Sequence, residues 1–272
     1  MNQFNRVRCI AIALCVLLAA MAGYVRIKAE DGGGYTPHSG QDGKDVIWMP
    51  TLHELVDTML DMANVTSSDY LIDLGSGDGR MVIAAAKRGA TALGIEYNPD
   101  MVDFAKRAAA AAGVDAKASF EKADIFEYNF SRASVLTLFL LPDLNLQLRP
   151  KILEMKPGTR IVSNTFDMGD WEADQTIALT EHDSSYTTAL LWIVPAKVHG
   201  RWNFEDGHIN FKQEYQKITG TLSMKKQEMK LKGNVEGDRI SFHAGGTEYT
   251  GTASGDAIVL TRAGGGSWRL AR

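Results

Sequence analysis

The stretch Leu71-Ile72-Asp73-Leu74-Gly75-Ser76-Gly77-Asp78-Gly79-Arg80 decides the fold. It begins as a short apolar run, typical of a buried strand, and continues into three glycines that alternate with polar residues. Glycines let a backbone turn through positive φ and approach a ligand closely. The apolar residues after Arg80 predict a helix, whose first N–H groups would point back at the turn. A strand, a glycine-rich turn and a helix in this order predict a nucleotide-type binding site.

The spacing of the glycines separates two classes of nucleotide cofactor. A dinucleotide-binding fingerprint places its third glycine where Arg80 stands, so that helix and strand can pack closely. This turn instead has the pattern G-x-G-x-G, preceded two residues earlier by Asp73. An NAD-dependent oxidoreductase therefore becomes the weaker alternative.

Two further carboxylates follow predicted strands downstream of the glycine turn. Glu96 ends the run 92–95, and Asp124 follows the run 118–123 and precedes Ile125. A carboxylate can accept hydrogen bonds from both hydroxyls of a ribose, which is the role predicted for Glu96. Asp124 suits the amino group of an adenine, with Ile125 against the ring. Acids at the ends of three successive strands predict a site for adenosine without a pyrophosphate.

Residues 73–79, Glu96, Asp124 and the apolar run 135–142 together resemble the class I S-adenosylmethionine methyltransferases. More narrowly, the segments around Glu96 and residues 141–150 look like bacterial relatives of the mitochondrial protein-lysine methyltransferases. Those enzymes modify the c subunit of ATP synthase and the adenine nucleotide translocase. The resemblance covers about residues 46 to 195. It implies an α/β, Rossmann-like sheet of seven strands, S-adenosylmethionine as cofactor, and a protein lysine as the acceptor.

The implied reaction is in-line attack of a nucleophile on the sulfonium methyl group, with the protein supplying mainly positioning. Gly75 and Gly77 would contact the methionyl part through their backbone, and Arg80 would pair with its carboxylate or simply face solvent. Asp143 and Asn145 follow the central strand. Asp143 would steer or deprotonate a lysine ammonium, and Asn145 would orient it through its carbonyl oxygen. The alternative for Asp143 is an acid that only stabilises a helix N-terminus.

Two features precede the glycine turn. Thr51 and Glu54 have the spacing of a capping box and predict the start of a helix there. Trp48, just before them, either folds over the cofactor as a lid or plugs the edge of the sheet.

Composition limits the remaining classes of function. The chain has 272 residues, 45% hydrophobic content and a formal net charge of −4, so nucleic acid is not an expected partner. Its two cysteines, Cys9 and Cys15, fall in an N-terminal apolar run. No zinc cluster or cysteine nucleophile can then form in the folded part. The six histidines lack the spacing of metal ligands, so no metal site is predicted.

Residues 1–22 have the pattern of a signal peptide. Two arginines precede fourteen uncharged residues, and Ala20-Met21-Ala22 supplies the small residues that signal peptidase needs. Extended to Val25, the run reaches the short limit for a spanning helix, so an uncleaved membrane anchor is the alternative. Both interpretations predict an exported protein, periplasmic or membrane-anchored and facing outward. The glycine-rich residues 23–45 are predicted to form a flexible linker.

The rest of the chain divides into two parts. Residues 46–196 are predicted to form the methyltransferase domain, and residues 197–272 a small antiparallel β-module, either a curled sheet or an open barrel. Three functions remain open: a protein-lysine methyltransferase, a small-molecule methyltransferase, and a non-catalytic nucleotide-binding scaffold that acts through its β-module.

Overall fold

The computed structural model describes residues 35–180, 185–225 and 227–272. The signal peptide or anchor predicted at residues 1–22 lies outside the described residues. Within those residues, no helix is long and apolar enough to cross a membrane.

A short hairpin precedes the main sheet. Strands β1 (Gln41–Asp42) and β2 (Ile47–Trp48) pair antiparallel. Lys44 lies between the two strands and pairs with Asp124, far along the chain, at 2.7 Å. The structure thus differs from the predicted linker, because residues 41–45 are held by strand pairing and an ion pair. Composition alone identified them as linker, and the ion pair depends on a residue 80 positions away.

The central sheet has seven strands. They are β3 (Tyr70–Leu74), β4 (Thr91–Glu96), β5 (Ala118–Lys122), β6 (Val135–Leu138), β7 (Arg160–Asn164), β8 (Gln175–Ala178) and β9 (Thr188–Ile193). Their spatial order is β5-β4-β3-β6-β7-β9-β8, in which β3 to β7 are parallel and β9 runs antiparallel to both of its neighbours, β7 and β8. This is the Rossmann-like, seven-strand sheet that the sequence predicted.

In the part of the chain that the structure describes, four helices flank this sheet: α1 (His53–Met62), α2 (Arg80–Lys87), α3 (Pro99–Ala111) and α4 (Pro142–Ile152). All four residues of β6 are buried, as expected for a central parallel strand that is covered on both faces. The strand order reverses between β3 and β6, which opens a crevice at the carboxyl ends of these strands. The ligand site of such a sheet lies there.

Helix α1 begins differently from the sequence prediction. Its N-cap is Leu52, and no side chain accepts a hydrogen bond there. The hydroxyl of Thr51 instead accepts from the amide of Asn164 at 3.2 Å, and the predicted capping box with Glu54 does not form. The contact with the end of β7 replaces the local cap.

The C-terminal part is a closed antiparallel barrel. Its eight strands are β10 (Gly200–Phe204), β11 (Gly207–Glu214), β12 (Lys217–Met224), β13 (Gln227–Glu236), β14 (Arg239–Ala244), β15 (Thr247–Ser254), β16 (Ala257–Arg262) and β17 (Ser267–Ala271). Each strand pairs with the next, and β10 pairs with β17 through Asn203 and Ala271. The prediction of an antiparallel module is confirmed, whereas a curled sheet or open barrel was wrong because the first and last strands meet.

Glycines at inward-facing strand positions allow this closure. A Cβ on Gly220 would collide with the carbonyl of Asn210, and one on Gly233 with the carbonyl of Ser241. The absent side chains let adjacent strands bend towards each other, as barrel corners require. Large apolar side chains such as Trp202, fully buried, fill the interior.

The barrel contacts the part of the chain that holds the central sheet through the turn between β11 and β12. The Gln216 side chain donates to the carbonyl of Glu172 at 2.8 Å, and the Tyr215 ring stacks on Trp171 with centroids 5.8 Å apart. The Tyr215 hydroxyl donates to Asp170 at 3.0 Å. The barrel therefore supports the loop that follows β7.

Candidate active site

A cleft opens at the carboxyl ends of β3, β4, β5 and β6, where the strand order reverses. The hairpin of residues 41–48 forms its other wall. The predicted site residues that line the cleft are Asp73, Gly75, Arg80, Glu96, Asp124 and Ile125. Phe139, Leu140 and Leu144 line the end next to α4.

Asp73 lies at the buried floor of the cleft. It is next to the end of β3, and the Thr137 hydroxyl on neighbouring β6 donates to it at 2.7 Å. Burial, helped by the negative charges of Asp78 and Glu96 and opposed by the Thr137 hydrogen bond, raises the pKa of Asp73 from 3.8 to about 7. The Asp73 carboxyl group therefore changes between its neutral and its anionic form near neutral pH.

Glu96 ends β4 and is held by two backbone groups. One carboxylate oxygen accepts from the N–H of Gly77 at 3.0 Å, and the other accepts from the N–H of Asn98 at 2.9 Å. Each oxygen keeps further lone-pair capacity, so this fixed carboxylate can still accept two hydroxyl donors. The arrangement fits the predicted ribose contact.

Gly77 lies beneath Trp48, and its N–H donates to Glu96. Gly77 itself does not line the cleft. Its φ is +52°, and a Cβ on it would collide with the indole nitrogen of Trp48. Glycine is required twice here, for the positive φ and for the approach of the ring. Trp48 lines the cleft, which is the position expected of the predicted lid.

Asp124 follows β5 and also lines the cleft. One of its oxygens accepts from the N–H of Phe126 at 2.9 Å, and the other pairs with Lys44 at 2.7 Å. The hydrogen bond from Lys44 lowers the pKa of the Asp124 carboxyl. Lys44 also lies 5.3 Å from the centroid of the Tyr97 ring. The predicted adenine acceptor is therefore also the anchor of the hairpin.

Arg80 is the first residue of α2 and lines the cleft, but it already has partners. Its guanidinium donates to both oxygens of Asp78, at 3.0 and 2.6 Å, and to the carbonyl of Thr51 at 2.5 Å. It thus ties the glycine turn to the start of α1, and the prediction that it pairs with a cofactor carboxylate or faces solvent stays a prediction.

Asp143 and Asn145, the predicted catalytic pair, do not share one environment. Asp143 is exposed in the first turn of α4, whereas Asn145 is fully buried. The Asn145 amide donates to the carbonyls of Phe166 and Asp167, both at 3.1 Å, and its own carbonyl oxygen has no hydrogen-bond partner among the described residues. Neither residue lines the cleft. The structure makes Asn145 a support for the loop after β7 and leaves Asp143 at the rim.

Sequence reasoning missed three cleft residues. Lys44 lies in a glycine-rich stretch that gave no sign of its ion pair with Asp124. Asp78 holds the Arg80 guanidinium in an ion pair, which its position in the glycine turn did not indicate. Phe139 belongs to an apolar run that predicts a strand to residue 141, although β6 ends at Leu138. No local signal distinguishes a rim aromatic from the last residue of such a run.

The cleft as a whole is acid-rich and partly apolar. Carboxylates at the ends of three adjacent strands face a wall that includes Trp48, Ile125 and Leu140. Such a site suits a ligand with a ribose, an aromatic base and cationic groups, which is the chemical make-up of S-adenosylmethionine. The side chains present therefore fit that cofactor.

Comparison with known proteins agrees with this chemistry. The sequence model of the ANTKMT methyltransferase domain matches residues 73–175. A protein-lysine N-methyltransferase of Saccharolobus islandicus (strain REY15A) is 37% identical over 159 residues, which are 57% of this chain and 94% of that protein. The chain belongs to the same methyltransferase family as that relative. A relative in Mus musculus, the lysine N-methyltransferase of the ATP synthase c subunit, is 40% identical over 107 residues, 39% of this chain and 43% of the mouse protein.

A solved structure shares the fold of this methyltransferase. It is described as an RNA methyltransferase from Salinibacter ruber in complex with S-adenosylhomocysteine, and it is 44% identical. The match covers 55% of this chain and 96% of that one, with a TM-score of 0.52.

Membership of this family confirms the predicted enzyme class, and with it S-adenosylmethionine as the methyl donor. It argues against the oxidoreductase and the non-catalytic scaffold that the sequence left open. Acceptor specificity is a separate question, because relatives of one fold act on different molecules.

Proposed function

We propose that this methyltransferase transfers a methyl group from S-adenosylmethionine to the side-chain amine of a lysine in a protein. The observation that carries the proposal is the 37% identity to a protein-lysine N-methyltransferase across 94% of that relative. The match to the mouse enzyme that acts on the c subunit of ATP synthase supports the same acceptor, although the chain spans less than half of that relative.

The charge of the catalytic part also supports a cationic acceptor. Asp143 is exposed in the first turn of α4, after β6, and Asp167 is exposed on the loop that follows β7. Exposed acids at the mouth of a cleft raise the local concentration of a cationic substrate. A lysine side chain is such a substrate, whereas an RNA phosphate is repelled.

The chemistry at the cleft follows from these positions. The cofactor supplies an electrophilic sulfonium methyl group. A lysine ammonium, whose unperturbed pKa is about 10.4, first releases a proton to solvent water, and its lone pair then forms the new N–C bond. The methyl–sulfur bond breaks and its electron pair stays on sulfur, which leaves S-adenosylhomocysteine. Asp143 at the rim attracts the ammonium before this step.

The experiment that tests lysine as the acceptor also tests two other classes of acceptor. The Salinibacter ruber relative is described as an RNA methyltransferase, which favours RNA as the second candidate. A small molecule is the third candidate, because the cleft itself does not require a polymer.

Radiolabelling distinguishes these three classes of methyl acceptor. The purified full chain is incubated with S-adenosylmethionine that carries a tritiated methyl group and with an extract of a strain that lacks the gene. Protease-sensitive label that yields methyl-lysine on hydrolysis is expected. Label that is ribonuclease-sensitive or of low molecular mass would overturn the lysine proposal. Glu96→Ala serves as the inactive control, and the exposed Glu127→Gln as its active match.

The location of the enzyme is a further part of the proposal. Residues 1–22 would direct the chain across a membrane or anchor it there, with the methyltransferase facing outward. Fractionation of the native cells, with mass spectrometry of the mature N-terminus, tests this. An N-terminus at residue 1 in the cytosolic fraction would contradict it.

A further inference from the structure

Three aromatic rings meet beside the cleft. The centroids of Phe139 and Tyr186 are 5.3 Å apart, those of Phe166 and Tyr186 5.9 Å, and those of Phe139 and Phe166 6.2 Å. Phe139 and Phe166 lie 23° from parallel, while Tyr186 is inclined to them at 64° and 54°. The rings therefore form the sides of an open corner rather than one flat stack. We call Phe139, Phe166 and Tyr186 the aromatic corner.

The aromatic corner adjoins the cofactor cleft and is partly exposed. All three residues are half-buried, whereas aromatic residues that only fill a core, such as Trp192, are fully buried. Phe139 follows β6 and lines the cleft, so it is shared between the cleft and the corner. The corner is thus next to the end of the cleft that faces α4.

The backbone around Phe166 is held in a costly conformation. Thr165 has a φ of +63°, which is rare for a β-branched residue. Its N–H donates to the carbonyl of Thr188 at 2.6 Å, and the carbonyl of Phe166 accepts from Ser163 at 2.7 Å and from Asn145 at 3.1 Å. Strained residues persist only where surrounding contacts hold them, and they cluster at functional sites. This segment fixes the direction of the Phe166 ring.

The surroundings of the aromatic corner favour a cation. Asp143 follows Phe139 in the chain, Asp167 follows Phe166, and both carboxylates are exposed. The faces of aromatic rings carry partial negative charge and attract ammonium groups within about 6 Å of the ring centroid. Rings and acids together would hold both the apolar stem and the charged head of an alkylammonium side chain.

We propose that the aromatic corner is the acceptor subsite, which binds the alkylammonium end of the lysine and its methylated products beside the cleft. This inference rests on the proposed lysine specificity. The rings would orient the amine towards the methyl donor, and methylated ammonium groups would bind them as well, because a methylated cation keeps its charge. Phe139, Phe166 and Tyr186 are then the residues that decide acceptor specificity.

Binding of a simple cation tests the subsite independently of turnover. The full chain is loaded with S-adenosylhomocysteine and titrated with n-butyltrimethylammonium, which mimics a trimethyllysine side chain. We expect saturable binding to the wild type and roughly tenfold weaker binding to Phe166→Leu and to Tyr186→Leu, since a cation–π contact at half-buried rings is intermediate between the exposed and the desolvated case. Phe166→Tyr should restore wild-type binding.

Controls separate this inference from a folding defect and from the proposed function. Phe204→Leu in the barrel, another half-buried aromatic, should leave binding unchanged. S-adenosylhomocysteine affinity should also be unchanged in every variant, which shows that the cleft is intact. Equal binding of the cation to wild type and Phe166→Leu would overturn the acceptor subsite even if the enzyme methylates lysine. If radiolabelling finds no methyl-lysine, the proposed function fails, whatever the cation titration shows.

Discussion

The hydroxyl of Thr137 donates a 2.7 Å hydrogen bond to the carboxyl group of Asp73, and both side chains are buried between adjacent parallel strands. The two residues are opposite each other in the register of β3 and β6. This contact joins the two strands between which the strand order of the sheet reverses. The hydrogen bond also lowers the pKa of Asp73, which burial alone would raise further.

Asp73 makes stability depend on pH. Its pKa is about 7 in the folded protein and near 3.8 when unfolded, so the folded state binds more protons between these values. Stability should therefore fall as pH rises from about 4 to about 7, by at most about 4 kcal/mol from this group. Urea unfolding at pH 5 and pH 8 measures the difference. Asp73→Asn should shrink it, and an unchanged pH dependence in that variant would contradict the assignment.

Glu96 should dominate the affinity for the cofactor. Glu96→Gln keeps the size of the side chain but removes the charge and one acceptor, and hydrogen bonds to charged groups contribute about 1.5–3 kcal/mol. We expect the Kd for S-adenosylmethionine, measured by calorimetry, to rise about 10- to 100-fold. Glu127→Gln, an exposed acid near the same rim, should bind as the wild type does. Equal affinities for both variants would exclude Glu96 from the site.

Gly77 and Trp48 should be energetically coupled. Gly77→Ala forces a residue with a Cβ into a positive φ, at a cost of about 1–2 kcal/mol, and also pushes against the indole ring. Trp48→Ala removes the collision but not the backbone strain. The double variant should therefore be more stable than the sum of the two single changes predicts, by roughly 1 kcal/mol. Additive effects in a denaturation cycle would show that the ring does not lie on the turn.

The Lys44–Asp124 ion pair should control how long the cofactor stays bound. It closes the hairpin over the cleft, and exposed ion pairs are weakened by salt. Lys44→Met should speed dissociation of S-adenosylmethionine several-fold in stopped-flow measurements. Added salt should speed dissociation from the wild type and have little effect on the variant. The same salt response in both proteins would argue against this role of the Lys44–Asp124 ion pair.

The sequence predicted the parts of the structure that depend on local patterns. Unbroken apolar runs such as that of β6 identified the parallel strands, and acids at strand ends located Glu96 and Asp124 on one rim. Long-range contacts were not visible in this way. The hairpin holds because Lys44 meets Asp124, and the barrel closes because Asn203 meets Ala271, so neither follows from its own segment.

Side-chain direction set the other limit on prediction from sequence. Asn145 is in the first turns of α4, only a few residues after the end of β6, but helix geometry turns it into the core towards the loop after β7. Arg80 lies at the cleft, yet its nearest charge is Asp78, two residues away. The rings of the aromatic corner come from three separate segments, and only the fold brings them together.

A crystal structure of the full chain with S-adenosylhomocysteine tests the central claim most directly. We predict ribose hydroxyls on the carboxylate of Glu96, the adenine amino group at Asp124 with the ring against Ile125, and the sulfur at the end of the cleft next to Phe139. A ligand bound away from the carboxyl ends of β3 to β6, or with its ribose turned away from Glu96, would contradict that claim.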